Sequence, residues 1–296
     1  MALPLLKNIA LVVNPLHTKA LAVAGEVAAI LKSKRVEHTV FTTSWPIHWT
    51  DITEGWIIGG DGTLNYFINH YPQFSLPMAI FKGGTGNDFH WLLYGDISVE
   101  EQVALVLKSS PLPVDAGLCN NRLFINGVGI GFDGKVVKDL AGKQKQKGKA
   151  SYLATILKNI FGYREFICSV STGNFNWGKK CFMISVANGK RYGGGFQVTP
   201  KGLVNDGLLD TNIVGRIHPF LRLKYLPLIQ KGAHTNLPFI TYVKSAMVIV
   251  KALQEVPAHI DGEAFSATEF NMECLPGRFT FLYPLHPPLP GKSSHE

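Results

Sequence analysis

The chain has 296 residues, 46% of them apolar and 17% charged, and a formal net charge of +8. That length suits two domains or one large one, and the composition describes an ordered globular protein, excluding a chain held open by its own charge. The positive surplus suits a surface that meets nucleotide, nucleic acid or anionic lipid headgroups, without choosing among them.

Residues 1–8 hold one lysine and lead into a strand without a small-residue cleavage site, so no signal peptide is read. Ile9 to Val13 is a continuous apolar run, followed by a turn at Asn14-Pro15 and a helical stretch with Leu21, Ala24, Ala28 and Leu31 on its apolar face. A second strand at Trp56-Ile57-Ile58 breaks at Gly59-Gly60-Asp61-Gly62-Thr63, after which Leu64, Phe67, Ile68 and Tyr71 recur at helical spacing. A third, Met78 to Phe81, runs into Gly83-Gly84-Thr85-Gly86-Asn87. Repeated strand-loop-helix units predict a parallel sheet with helices on its faces and ligands beyond the carboxyl ends of the strands.

After about residue 117 the pattern changes. Segments 166–171, 181–187, 208–214, 246–251 and 279–283 are short, rich in β-branched and aromatic residues and bounded by turn residues, which predicts antiparallel β structure. Two helices interrupt it, one over Ser151 to Phe161 and one near 219–231. The first domain is therefore placed at 1–117, the second at 118–284, and a proline-rich tail at 285–296, with a return of that tail to the first domain left open. The longest apolar runs, Ile9 to Val13 and Ala246 to Val250, fall far short of the roughly 20 residues that span a bilayer. Cys119, Cys168, Cys181 and Cys274 are too scattered for a short metal-ligand spacing or a disulfide framework, which points to a reducing cytoplasm.

Glycines in the loop from Gly59 to Thr63 let main-chain N–H groups approach phosphate oxygens, and the following helix presents its positive end. Asp61 is the unusual member, since a carboxylate repels phosphate unless it bonds a ribose hydroxyl or acts through Mg²⁺. The bland alternative is an ordinary tight turn. The loop from Gly83 to Asp88 also follows a strand, and one shared nucleotide site explains both. Asn205-Asp206-Gly207 and Asp261-Gly262 read as hairpin turns, whatever else they do. The run Lys143-Gln144-Lys145-Gln146-Lys147-Gly148-Lys149 reads first as a solvated loop and second as a contact for anionic headgroups.

The order Asn14-Pro15, Gly59 to Asn65, Gly83 to Phe89, Asn126 to Asp133, Gly193-Gly194-Gly195, Asn205 to Asp210 and Asp261-Gly262-Glu263 resembles the catalytic domain of the diacylglycerol kinase superfamily. That superfamily includes sphingosine kinases and is distantly similar to NAD kinases and phosphofructokinases, and the chain most resembles its bacterial single-chain members. The resemblance implies an α/β N-terminal domain with a parallel sheet, NAD kinase/phosphofructokinase-like, plus a mostly antiparallel β-sandwich C-terminal domain. It implies ATP held by Asn14, Pro15, Gly60, Asp61, Gly62, Thr63, Leu64, Asn65 and Thr85, joined by Thr43 or the neighbouring Thr42. It implies Mg²⁺ on the Asp206 carboxylate and the Leu203 and Leu208 carbonyls, and Asp261 as general base.

The implied acceptor is a lipid hydroxyl at the membrane surface, diacylglycerol foremost, and the implied place is the cytoplasm, peripheral to the inner face of the membrane. Contact with anionic lipid and a homodimer stay open, and no nucleic acid is expected. The chain departs from the family at Leu16-His17-Thr18-Lys19, which holds no glycine, at Tyr66, where an acidic residue is common, and at His90-Trp91, where Ala and Arg are common. Two other readings stand beside the lipid kinase: a kinase of a soluble acceptor, NAD kinase-like, and a catalytically inactive nucleotide- or membrane-binding homologue.

Overall fold

The computed structural model describes residues 7–141 and 149–285; the basic run at 143–149, apart from the backbone of Lys149, and the tail beyond Leu285 lie outside them. The chain divides into two compact units, Met1–Val114 with Phe279–Glu296, and Asp115–Arg278.

The first unit runs β1 (Asn8–Val13), α1 (Thr18–Ser33), β2 (Glu37–Phe41), β3 (Glu54–Gly59), α2 (Asp61–His70), β4 (Met78–Lys82), α3 (Asp88–Tyr94) and α4 (Val99–Lys108). β1 pairs in parallel with β2 and with β3, and β3 in parallel with β4, so the strands end along one common edge. Every residue of β3 is buried, as a continuous apolar strand between two helical layers requires. Trp56 stacks on Phe81 at 5.2 Å and donates its indole N–H to Glu54, which Lys7 neutralises at 2.6 Å. A capping box at Ser98 and Glu101 starts α4.

The second unit opens with β5 (Pro111–Cys119), which begins in the first, and continues β6 (Arg122–Phe124), β7 (Gly127–Gly131), α5 (Phe132–Ala141), α6 (Lys149–Asn159), β8 (Phe166–Thr172), β9 (Phe175–Ala187), β10 (Leu209–Gly215), α7 (Pro219–Gln230), β11 (Ile240–Ser245), β12 (Met247–Ile260) and β13 (Glu263–Leu282). Its pairings are antiparallel: β11 to β10 to β9, with β8 and β7 in succession between β9 and β12, and β12 to β13. Val128, Ile184, Val250 and Phe270 belong to one apolar cluster; Phe132, Ile156, Phe182 and Ile217 belong to another, under the helices. The last residues of β13 belong to the first unit, where Phe281 pairs in parallel with Met78.

One helix face is rotated from the periodicity reading, and a second helix buries less of its apolar content than its sequence offers. α1 buries Ala20, Val23, Ala24, Val27 and Leu31 and turns Leu21 outward, so Ala20 and Val27 stand on the inner face where Leu21 and Ala28 were expected. α6 buries Ile156, and Ile160 just past its end is buried too, but Leu153 and Leu157 are each 43% exposed.

Candidate active site

Three loops meet at the carboxyl edge of the parallel sheet. Asn14, one residue past β1, donates from Nδ2 to Thr63 Oγ1 at 2.9 Å and accepts the Leu16 N–H. Its loop is thereby tied to the first turn of α2. The two glycine loops lie back to back: a Cβ on Gly60 would meet the Gly86 carbonyl oxygen at 2.5 Å, and one on Gly84 would meet the Gly60 Cα at 2.4 Å. These glycines are needed for the approach of one loop to the other.

Asp61 locks that approach. Its backbone N–H donates to Gly86, and its carboxylate accepts the Asp88 N–H at 2.9 Å and the Phe89 N–H at 3.0 Å, capping α3 from another loop. The position of this carboxylate is thus explained by a helix N-terminus, and neither a ribose hydroxyl nor a cation is needed to account for it. By contrast α1 and α2 have no side-chain cap on their N-cap residues His17 and Gly60. Gly62, exposed in the first turn of α2, has open space where a Cβ would stand. An uncapped helix end with an unobstructed glycine fits a phosphate.

Of the other residues assigned to the nucleotide from sequence, Thr85 and Pro15 are exposed at this edge, and Thr42 and Thr43 follow the end of β2. Leu64 is fully buried and Asn65 nearly so, which makes both supports of α2. Tyr66 is 59% exposed, stacked on His70 and set edge-on to Trp45.

In the second unit, Asp261 and Gly262 are the two central residues of the β12–β13 hairpin, both at positive φ (46° and 91°), the conformation that makes Asp-Gly a favoured pair there. The Asp261 carboxylate accepts three backbone N–H groups, from Ile125 (2.8 Å), Asn126 (3.0 Å) and Gly127 (2.8 Å). Its orientation is set by the strand start it grips, and general-base work would use the lone pairs those bonds leave.

The Asp206 turn was assigned to Mg²⁺ with Leu203 and Leu208. Asp206 Oδ1 accepts the Leu208 N–H at 3.2 Å, and Oδ2 pairs with the Lys244 ammonium at 2.8 Å. Among the described residues no group of three or more His, Cys, Asp or Glu side chains is placed to hold a metal ion. With Oδ2 paired to Lys244, a divalent ion on the Asp206 carboxylate would compete with that ammonium.

Sequence reasoning gave no role to a cavity under the helices of the second unit, walled by Phe132, Ile156, Phe182, Val214, Leu226 and Phe239, with Asp133, Tyr152 and Tyr192 also lining it. Asp133 accepts from Tyr152 at 3.1 Å and faces His259 at 3.7 Å. Burial works to raise the Asp133 pKa, but His259, Tyr192 and Tyr152 outweigh it and hold the carboxyl below its ordinary value. Burial, reinforced by Asp133, pushes the Tyr192 hydroxyl far up, so it stays protonated. Asp133 stood in the quoted motif, and its acidity in an otherwise apolar stretch was the available signal.

Residues 8–119 match the diacylglycerol kinase catalytic domain, and residues 126–283 match the YegS C-terminal NAD kinase beta sandwich-like domain. The chain belongs to the YegS-type diacylglycerol kinase family. The probable lipid kinase YegS of Salmonella typhimurium is 30% identical over 78% of this chain and 78% of its own length. A probable YegS-like lipid kinase of Shewanella frigidimarina is 26% identical over 76% and 75%. Among solved structures, a diacylglycerol kinase from Bacillus anthracis str. Sterne superposes with a TM-score of 0.73 at 20% identity, covering 96% of this chain and 99% of that one. Another chain from that organism reaches 0.79 at 23%, with the same coverage. These two likenesses show the fold. The two-part build, a diacylglycerol kinase-like first domain and a β-rich second, is that of the family.

Proposed function

We propose that the chain is an ATP-dependent lipid kinase that transfers the γ-phosphate to a lipid hydroxyl, with diacylglycerol, giving phosphatidic acid, as the first acceptor to test. The observation that carries the lipid half is the apolar cavity of the second unit. Its walls offer little to a dinucleotide, whereas each methylene of an acyl chain buried there gains about 0.8 kcal/mol. The relatives named as lipid kinases support the same choice.

In this reading the uncapped starts of α1 and α2 hold nucleotide phosphates, with Thr85 and one of Thr42 and Thr43 at the same edge. Asp61 keeps the two glycine loops in register. Asp261 accepts the proton of the attacking hydroxyl, and Mg²⁺ belongs to the nucleotide's own phosphates. The protein works at the inner face of the membrane as a peripheral enzyme; among the described residues no helix is long and apolar enough to cross one.

The test offers radiolabelled ATP with diacylglycerol, with sphingoid bases and with NAD. Label in the lipid extract is the expected result, and label found only in NADP overturns the reading.

A further inference from the structure

We infer that Lys244 supplies the cation at the Asp206 turn, so that this chain builds the turn around an ammonium group where its family would place a divalent ion. Asp115, Asp206 and Asp210 gather at residues 205–210, and five of their six carboxylate oxygens make a hydrogen bond, while the sixth, Asp210 Oδ2, is buried with only the Lys244 ammonium facing it. Asp115 accepts the Gly277 N–H on Oδ1 and the Gly207 N–H on Oδ2, each at 2.7 Å. Asp206 takes the Leu208 N–H and the Lys244 ammonium. Asp210, fully buried, accepts the Tyr242 hydroxyl at 2.6 Å on Oδ1 and faces Lys244 at 3.3 Å on Oδ2.

The position of Lys244 follows from strand register. It stands directly opposite Asp210 on β11, so the pairing of β10 with β11 that forms the sheet also carries the ammonium to the turn. Burial works to lower the Lys244 pKa, and its bonds and charges with Asp206 and Asp210 outweigh this, keeping it charged. Mg²⁺ demands oxygen ligands at about 2.0–2.1 Å in near-octahedral geometry, which here requires moving Lys244 away. The turn is thereby closed without an ion, whatever the acceptor of the phosphate.

The experiment measures melting temperature without nucleotide in MgCl2 or CaCl2 against NaCl of equal ionic strength. It compares the wild type, Lys244→Ala, Lys244→Met, Asp206→Asn and the double variant Lys244→Ala with Asp206→Asn. The wild type should show no specific response. Each Lys244 variant should melt a few degrees lower, on the order of 2–4 °C, and recover with the divalent ion, a recovery the double variant lacks. Either of two results overturns the inference: a divalent-specific stabilisation of the wild type that Asp206→Asn removes, or Lys244 variants that ignore the ion. Should neither variant fold, Mn²⁺ binding to the wild type, read by equilibrium dialysis, decides: no ion lost on Asp206→Asn upholds it, one ion lost overturns it.

Discussion

Asp61 Oδ1 lies 3.0 Å from the backbone nitrogen of Phe89, which makes a residue of the first glycine loop the cap of the helix that follows the second. Asp61→Ala removes acceptors from two helix-end N–H groups and should lower stability by about 0.5–2 kcal/mol. Because the cap also sets the loop register, ATP affinity should fall in the same variant. Urea midpoints and nucleotide titration together check this, and unchanged values for both would remove Asp61 from the account.

The glycines separate by what surrounds them. Gly60→Ala drives a methyl into the Gly86 carbonyl, whereas Gly62→Ala meets open space. The first should unfold readily. The second should fold at least as stably, since alanine is favoured over glycine in a helix by about 1 kcal/mol. It should nonetheless bind ATP more weakly. A Gly62→Ala protein with normal KM for ATP would show that no phosphate approaches there.

Asp261→Asn should lower kcat by about 10²–10⁴ if the carboxylate is the base. The same change turns an amide toward one of three backbone donors and should lower stability by about 1–3 kcal/mol. Rates must therefore be normalised to folded protein, by active nucleotide-binding sites. Full activity per folded molecule would leave Asp261 as a turn residue only.

Leu226 lines the apolar cavity. Leu226→Trp should fill it and raise KM for long-chain diacylglycerol far more than for a short-chain analogue, while KM for ATP stays put. Equal effects on both lipids would place the acyl chain elsewhere.

His234 is fully buried, with its Nε2 at 2.9 Å from the Asn212 amide, and burial lowers its pKa. With the folded value below the unfolded one, the unfolded chain takes up the proton first. Stability is therefore whole above the unfolded value of about 6.5 and declines as pH falls below it, no more steeply than about 1.4 kcal/mol per pH unit for one proton. His234→Gln should flatten that part of the profile between pH 7 and 5, as read from urea midpoints. An unchanged slope would assign it to another group.

Much of the first unit was legible because apolar runs ended in glycine loops, as at Trp56 to Thr63 and Met78 to Asn87. β12 and β13 were harder: the reading kept only one end of each, since Glu255 and Glu269 face outward and break the pattern beyond them. α5 was missed because it starts inside a glycine-rich motif. What Asp61, Asp206 and Asp261 touch was out of reach, because their partners lie 27, 38 and about 135 positions away and depend on register. Local sequence names the turn; only pairing says which backbone its carboxylate grips.

The return of the chain end to β4 has a bearing on synthesis. Tyr94 donates its hydroxyl to the Leu282 carbonyl, and Phe89 meets Phe281 edge-on at 5.3 Å. A nascent polypeptide on the ribosome lacks these groups until residues 279–285 have been translated. Until then the edge of β4 stays open to stray strands. A fragment stopping near residue 114 should likewise be prone to aggregate, and separate expression of the two units would need a break that leaves residues 279–285 with the first.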